Sequence, residues 1–166
     1  MTAVLEPMTL VKAPLRNRLR VDLKAPVAKV WSLVGDLARL SDYSVGLERV
    51  TTKVDARGHC TEYTCYFKPM AAGEPGIVST DKMKWYEPNR GWASSGVSGD
   101  AFGFSDDLHT LMLEPSTDGT LLTMDSYYDA ADIEMMKAHM HEALSDIGKN
   151  LLARFGGRLI HCYVSA

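Results

Sequence analysis

The segment 132–155 constrains the fold of this chain most strongly, because it carries one long apolar stripe at helical spacing. Apolar residues recur every three or four positions, which places them on one side of a helix. The stripe consists of Ile133, Met136, Met140, Leu144, Ile147, Leu151 and Phe155. Such a stripe needs a large apolar partner, so we predict that the helix lies across the inner face of a sheet. Its Met-rich half suits a helix that covers a cavity, and an ordinary filled core explains it as well.

Most of the chain before this helix alternates between apolar and polar residues, as half-buried strands do. Turn-forming residues separate the alternating runs, and such short links predict antiparallel pairing of successive strands. The predicted strands are 16–24, 48–55, 59–67, 77–86, 91–97, 106–114 and 121–128, with two short helices at 27–35 and 36–40 after the first strand. The pattern predicts an α+β fold in which a curved, seven-stranded antiparallel sheet wraps around the long helix.

Composition argues against several classes of partner for this chain of 166 residues. The formal net charge is −3 and no long basic run is present, so we expect no nucleic-acid binding. No apolar stretch approaches the roughly 18 to 20 residues of a membrane span, and the N-terminus lacks the apolar core of a signal peptide, so the expected location is the cytoplasm. The cysteines Cys60, Cys65 and Cys162 form no CxxC pair, which favours reduced thiols.

The segment 23–36, LKAPVAKVWSLVGD, resembles the opening of the START-like, or Bet v 1-like, helix-grip (SRPBCC) superfamily. It is most similar to bacterial members grouped under polyketide cyclase/dehydrase and lipid transport, and the resemblance extends over roughly residues 16 to 156. It implies a helix-grip fold with a deep hydrophobic cavity for lipids, sterols, polyketides or hormone-like ligands, and no single reaction. We therefore divide the chain into an N-terminal arm (1–15), a START-like ligand-binding domain (16–158) and a C-terminal tail (159–166).

Asp107 and His109 are the strongest candidates for chemistry, because the alternation through Leu111 and Leu113 turns both of them inward. Residues two apart on one face of a strand are about 7 Å apart along it. A carboxylate at that range can orient an imidazole or raise its pKa, which makes His109 a candidate general acid/base. The alternative is that both residues lie at the solvated rim of the sheet.

Other inward positions are candidate ligand contacts. The alternation places Asp81, Met83 and Trp85 on one face, where a buried Asp81 would need a proton or a hydrogen-bond partner. The remaining candidates are Trp92, Ser94, Leu111, Met124, Ser126, Tyr128, Met136 and Met140. Ordinary core packing explains the aromatic positions equally well.

The histidines of the long helix do not predict a metal site. His139, Glu142 and Asp146 project away from the apolar stripe, on what we interpret as the solvated face of the helix. The spacing also differs from the His-Glu-x-x-His pattern that holds zinc on one helical face.

Three classes of function remain. In the first, the protein encloses a hydrophobic or aromatic small molecule and orients it with a few polar groups. In the second, it is a cofactor-independent polyketide cyclase/dehydratase in which His109 moves protons during aldol closure or loss of water. In the third, the arm mediates contacts with a partner protein, and a homodimer is compatible with the curved sheet and the apolar arm.

Overall fold

The computed structural model describes residues 11–97 and 102–166. The strands are β1 (Leu15–Leu23), β2 (Leu47–Val54), β3 (Cys60–Phe67), β4 (Val78–Glu87), β5 (Gly91–Gly96), β6 (Phe104–Pro115), β7 (Thr120–Ala130) and β8 (Gly157–Val164). The helices are α1 (Val27–Val34), a 3₁₀ helix (Leu37–Asp42) and α2 (Ile133–Phe155). The strands form one sheet in the order β2-β3-β4-β5-β6-β7-β1-β8, and every neighbouring pair is antiparallel.

The prediction of seven strands is wrong, because the described chain forms an eight-stranded sheet. Most of the segment that we assigned to a C-terminal tail (159–166) belongs to β8, which pairs with β1 at the edge of the sheet. The alternation of buried and exposed residues is weak here, since Leu159 and Ile160 are both exposed. Gly156 and Gly157 connect α2 directly to β8 with φ angles of 70° and 119°, which glycine adopts readily.

Helix α2 lies on the inner face of the sheet, as its stripe predicts. Leu144, Ile147 and Leu151 are buried in the main hydrophobic core together with the inward residues of β1. Gly148 allows a close approach to β1, since a Cβ atom there would lie 2.9 Å from Cδ1 of Leu19. No helix in the described ranges is long and apolar enough to cross a membrane.

The part of the N-terminal arm that the structure describes packs on the outer face of the sheet. The backbone N–H groups of Lys12 and Ala13 donate to Oδ2 of Asp106 at 3.1 and 3.0 Å. Val11 packs against a second, smaller apolar cluster on this face, formed by Ala93, Leu108 and Tyr127. Residues 1–10 of the predicted arm lie outside the described residues, and β1 begins at Leu15, one residue earlier than predicted.

Candidate functional site

A cavity of about 170 Å³ lies between α2 and the inner face of the sheet. Most of its wall is apolar. The helix contributes Met136, Met140, Leu144 and Ile147, and the sheet contributes Leu47, Cys65, Trp92 and Met124. An enclosed apolar space with a few polar groups is the usual form of a small-molecule site.

A second pocket, of about 290 Å³, adjoins this cavity and is lined in part by charged residues. Phe67, Phe102 and His139 line both spaces. The ring centroids of Phe67 and Phe102 are 5.0 Å apart, and those of Phe102 and His139 are 6.3 Å apart. These three rings therefore stand between the inner cavity and the outer pocket.

Asp81 of β4 brings a carboxylate to the cavity wall. Its Oδ2 accepts hydrogen bonds from the hydroxyls of Tyr63 on β3 and Ser94 on β5, each at 3.1 Å, and the two hydroxyl oxygens are 2.8 Å apart. Burial is the main cause that raises the pKa of Tyr63 well above its ordinary value, so the phenol stays protonated and can donate. We predicted that an inward Asp81 needs a proton or a hydrogen-bond partner, and Tyr63 on β3 and Ser94 on β5 provide two such partners.

His109 of β6 lies between two polar partners. Its Nε2 is 3.2 Å from Oδ2 of Asp107, and its Nδ1 is 3.1 Å from Oγ of Ser126 on the neighbouring strand β7. Oδ2 of Asp107 also accepts the backbone N–H of Gly96 at 3.0 Å. The side chains of His109 and Asp107 are only 18% and 9% exposed, so the alternative of a solvated rim does not apply to them.

Asp81 on β4 and the Asp107–His109 pair on β6 meet across β5. Asp81 pairs with Gly96, which has no side chain to separate the carboxylates of Asp81 and Asp107. Asp81, Asp107 and His109 each offer one potential ligand atom, and these three atoms lie within 4.8 Å of one another. This arrangement concentrates negative charge on one wall of an otherwise apolar cavity.

The carboxyl groups of Asp81 and Asp107 respond differently to their surroundings. Burial raises the pKa of Asp81, opposed by the nearby His109 and reinforced by the charge of Asp107. Burial also acts to raise the pKa of Asp107, but the hydrogen bond and charge of His109 and the N–H of Gly96 outweigh it and lower this pKa. Asp107 is therefore the more readily ionised of the two acids.

The structure brings some of the candidate ligand contacts to the cavity and keeps others from it. Those that line it are Asp81, Trp92, His109, Met124, Ser126, Met136 and Met140. Asp107 and Ser94 support the wall from behind through the hydrogen bonds given above. Met83 and Leu111 pack in the main core. Tyr128 is fully buried, and its hydroxyl donates to Oδ1 of Asn17 at 2.6 Å.

The prediction that Trp85 shares a face with Asp81 and Met83 is wrong. The register between β4 and β5 shifts between Met83 and Trp85, as at a β-bulge. An extra residue on one strand reverses the alternation beyond it. Trp85 therefore pairs with Ala93 and packs on the outer cluster, away from the cavity.

Several lining residues were missed in the sequence, among them Tyr63 and His139. Tyr63 precedes Cys65 and Phe67 at a period of two, so the alternation of β3 could have indicated it. His139 was assigned to the solvated face of α2, but it lies beside Phe102 and lines both pockets. The apolar stripe alone did not indicate that Phe102 packs beside the helix at this position.

This combination of a sheet, a long helix across it and a cavity between them defines a helix-grip protein. The family described as polyketide cyclase / dehydrase and lipid transport matches residues 16–159. The chain belongs to this family, which confirms the resemblance seen at 23–36. A search of curated proteins found no match.

Solved structures of low sequence identity share the fold. A START superfamily protein from Mycobacterium smegmatis has a TM-score of 0.70 at 16% identity, with 86% of this chain and 97% of that chain covered. XoxI from Bacillus cereus has a TM-score of 0.69 at 16% identity, with 84% and 95% covered. The Zhui aromatase/cyclase from Streptomyces sp. R1128 has a TM-score of 0.65 at 17% identity, with 85% and 93% covered.

Proposed function

We propose that this protein binds a hydrophobic or aromatic small molecule, of lipid-like or polyketide-like character, in the cavity between α2 and the sheet. The observation that carries the proposal is the partly enclosed, mostly apolar space with polar groups gathered on one wall. Burial of apolar ligand surface would supply affinity, and Asp81, His109 and Ser126 would orient the ligand. Membership of a family described by polyketide cyclisation and lipid transport supports the same ligand class.

The size of the cavity indicates that the ligand occupies more than the inner space. The inner cavity of about 170 Å³ is smaller than the roughly 300 Å³ at which ligand pockets usually begin. The adjoining pocket adds about 290 Å³, behind Phe67, Phe102 and His139. We expect these rings to move apart when the ligand binds, so that its apolar body reaches the inner cavity.

Ala143 offers a direct test, because it lines both pockets. Ala143→Trp should fill the passage and abolish binding of an apolar fluorescent probe, measured by titration of its emission. Ala138→Trp is the matched control, since Ala138 is exposed on the same helix. Equal probe binding by the two variants would contradict the proposal. Native mass spectrometry followed by denaturing extraction would identify a ligand that co-purifies with the wild-type protein.

The alternative function is a cofactor-independent cyclase or dehydratase of a polyketide-like substrate. The position of His109 favours it, because the contacts with Asp107 and Ser126 hold an imidazole at the cavity wall, where one of its nitrogens could exchange a hydrogen bond to Ser126 for one to the substrate. His109→Ala should then abolish turnover and leave binding of the substrate within a few-fold of wild type. Turnover that survives in His109→Ala would exclude this mechanism.

A further inference from the structure

The geometry of Asp81, Asp107 and His109 has the form of a metal-binding site. Nε2 of His109 and Oδ2 of Asp107 are 3.2 Å apart. Two ligands bound to one ion at about 2.1 Å, with an angle of about 90° to 110° between them, are themselves about 3.0 to 3.4 Å apart. The ligand atom of Asp81 lies within 4.8 Å of both. The Asp81 atom must therefore approach the other two by up to about 1.8 Å, which a change in a side-chain torsion of Asp81 can supply.

The surrounding hydrogen bonds are those that orient metal ligands. One tautomer of His109, with Nδ1 donating its proton to Oγ of Ser126 at 3.1 Å, leaves on Nε2 the lone pair that a metal ligand needs. In the metal-free protein Nε2 can instead carry the proton and donate it to Asp107 at 3.2 Å, so a bound ion would take the place of that proton. Tyr63 and Ser94 donate to Oδ2 of Asp81, so each of these ligand groups has a hydrogen-bond partner on a neighbouring strand.

The charge of the cavity wall favours a cation at this position. No lysine or arginine is among the described residues that line the inner cavity. Lys84, which acts on Asp107 from a distance, is exposed to solvent. The two neighbouring carboxylates can therefore be neutralised locally by His109, by a proton or by a bound cation.

We propose that Asp81, Asp107 and His109 bind one divalent transition-metal ion, of the Zn²⁺, Mn²⁺ or Fe²⁺ class, on the wall of the cavity. One imidazole and two carboxylates form a mixed nitrogen and oxygen donor set that suits these ions. Three protein ligands leave coordination positions open, as in sites where an exogenous molecule binds the metal. These open positions face the cavity, because His109 and Asp81 both line it.

A bound ion would narrow the ligand class. Adjacent open positions on such an ion favour a molecule with two neighbouring oxygen donors, such as a β-dicarbonyl or a catechol, on an apolar body. This part of the inference rests on the proposed function, whereas metal binding does not. A metal on Nε2 also prevents that nitrogen from accepting a proton, so the metal-bound protein cannot use it as a general base.

The test uses the full chain, stripped of metal with a chelator. Isothermal titration at pH 7.5 with Zn²⁺ and with Mn²⁺ should give one ion per chain. The Co²⁺ form should show visible absorption bands typical of cobalt bound by nitrogen and oxygen ligands. It should lack the charge-transfer band that a cysteine thiolate ligand produces. Asp81→Asn, Asp107→Asn and His109→Gln should each weaken binding about 100-fold or more, and Ser126→Ala, which removes an outer hydrogen bond, about 10-fold or more.

Matched controls are available beside the site. His139→Gln removes a histidine that lines the same cavity, and Asp146→Asn removes an acid of the outer pocket. Both should bind metal as wild type does, and near-ultraviolet circular dichroism confirms that each variant is folded. The proposal is overturned if the wild-type protein binds no stoichiometric ion, or if the folded ligand variants bind it as tightly as the controls. Titration of the metal-free protein with an apolar probe tests the proposed function separately. The metal-binding proposal can therefore fail while the proposal of hydrophobic ligand binding stands, and the reverse.

Discussion

At the scale of single residues, the polar wall of the cavity depends on hydrogen bonds between strands. Tyr63, Asp81 and Ser94 lie on three successive strands and bond to one another within 3.1 Å. A buried carboxylate without such partners would be costly, because it loses its hydration without compensation. The hydroxyl of Tyr63 therefore stabilises the fold as well as shaping the site.

Tyr63→Phe should lower the free energy of unfolding by about 1 to 3 kcal/mol, since it removes a donor from the partly buried Asp81 and leaves Ser94 with one partner fewer. Urea unfolding followed by circular dichroism measures the change. Tyr66→Phe is the control, because Tyr66 lies on the opposite face of β3 with its ring against Arg49. We expect that control to stay within about 0.5 kcal/mol of wild type, and equal losses in the two variants would contradict this role of Tyr63.

At the scale of elements, the turn from α2 into β8 decides whether the last strand can join the sheet. A side chain at Gly157 would overlap the backbone oxygen of Asp22 on β1, and its φ of 119° is strained for other residues. β8 and β1 pair along most of their length, so this turn sets the register of the sheet edge beneath α2.

Gly157→Ala should destabilise the protein by more than about 2 kcal/mol, because backbone overlap adds to the cost of the positive φ. Gly58→Ala is a matched control, since Gly58 also has a positive φ, of 81°, but has open space around it. The free energy of unfolding of that control should fall by only about 1 kcal/mol. Thermal unfolding of both variants gives the comparison, and a smaller loss at Gly157 than at Gly58 would disprove the steric explanation.

At the scale of the whole molecule, the core holds several thiol and phenol groups in their neutral forms. Burial is the main cause in each case: it raises the pKa of Cys60 to about 11 and the pKa values of Cys65 and Tyr128 to about 12. Their ordinary pKa values are 9.0 for cysteine and 10.0 for tyrosine. The folded state therefore favours the protonated forms of these groups.

Stability should fall at alkaline pH for this reason. A group whose pKa is raised in the folded state contributes its full stabilisation below its ordinary pKa and loses it as the pH rises toward the folded value. For these residues that window runs from about pH 9 to about pH 12. Urea unfolding at pH 8.0, 9.5 and 11.0 should show a falling midpoint, with a shallower fall in Cys65→Ala. A midpoint that is constant or rising over this range would contradict the prediction.

Local periodicity determined the main elements of this protein. The stripe from Ile133 to Phe155 is a property of consecutive residues, and α2 spans 133–155 as it predicts. The alternation around Leu111 likewise turns Asp107 and His109 inward, because side chains on a strand change face at every residue. The family resemblance, drawn from the segment 23–36 and from the order of the elements over roughly residues 16 to 156, is confirmed by the family match.

Only the tertiary structure decided which polar groups meet. Asp81 and His109 are 28 positions apart in sequence, and the order of β4, β5 and β6, with Gly96 between the acids, brings them together. The bulge that turns Trp85 outward and the pairing of β8 with β1 also depend on contacts between distant segments. Such contacts set strand register and closure of the site, and a pattern of neighbouring residues does not contain them.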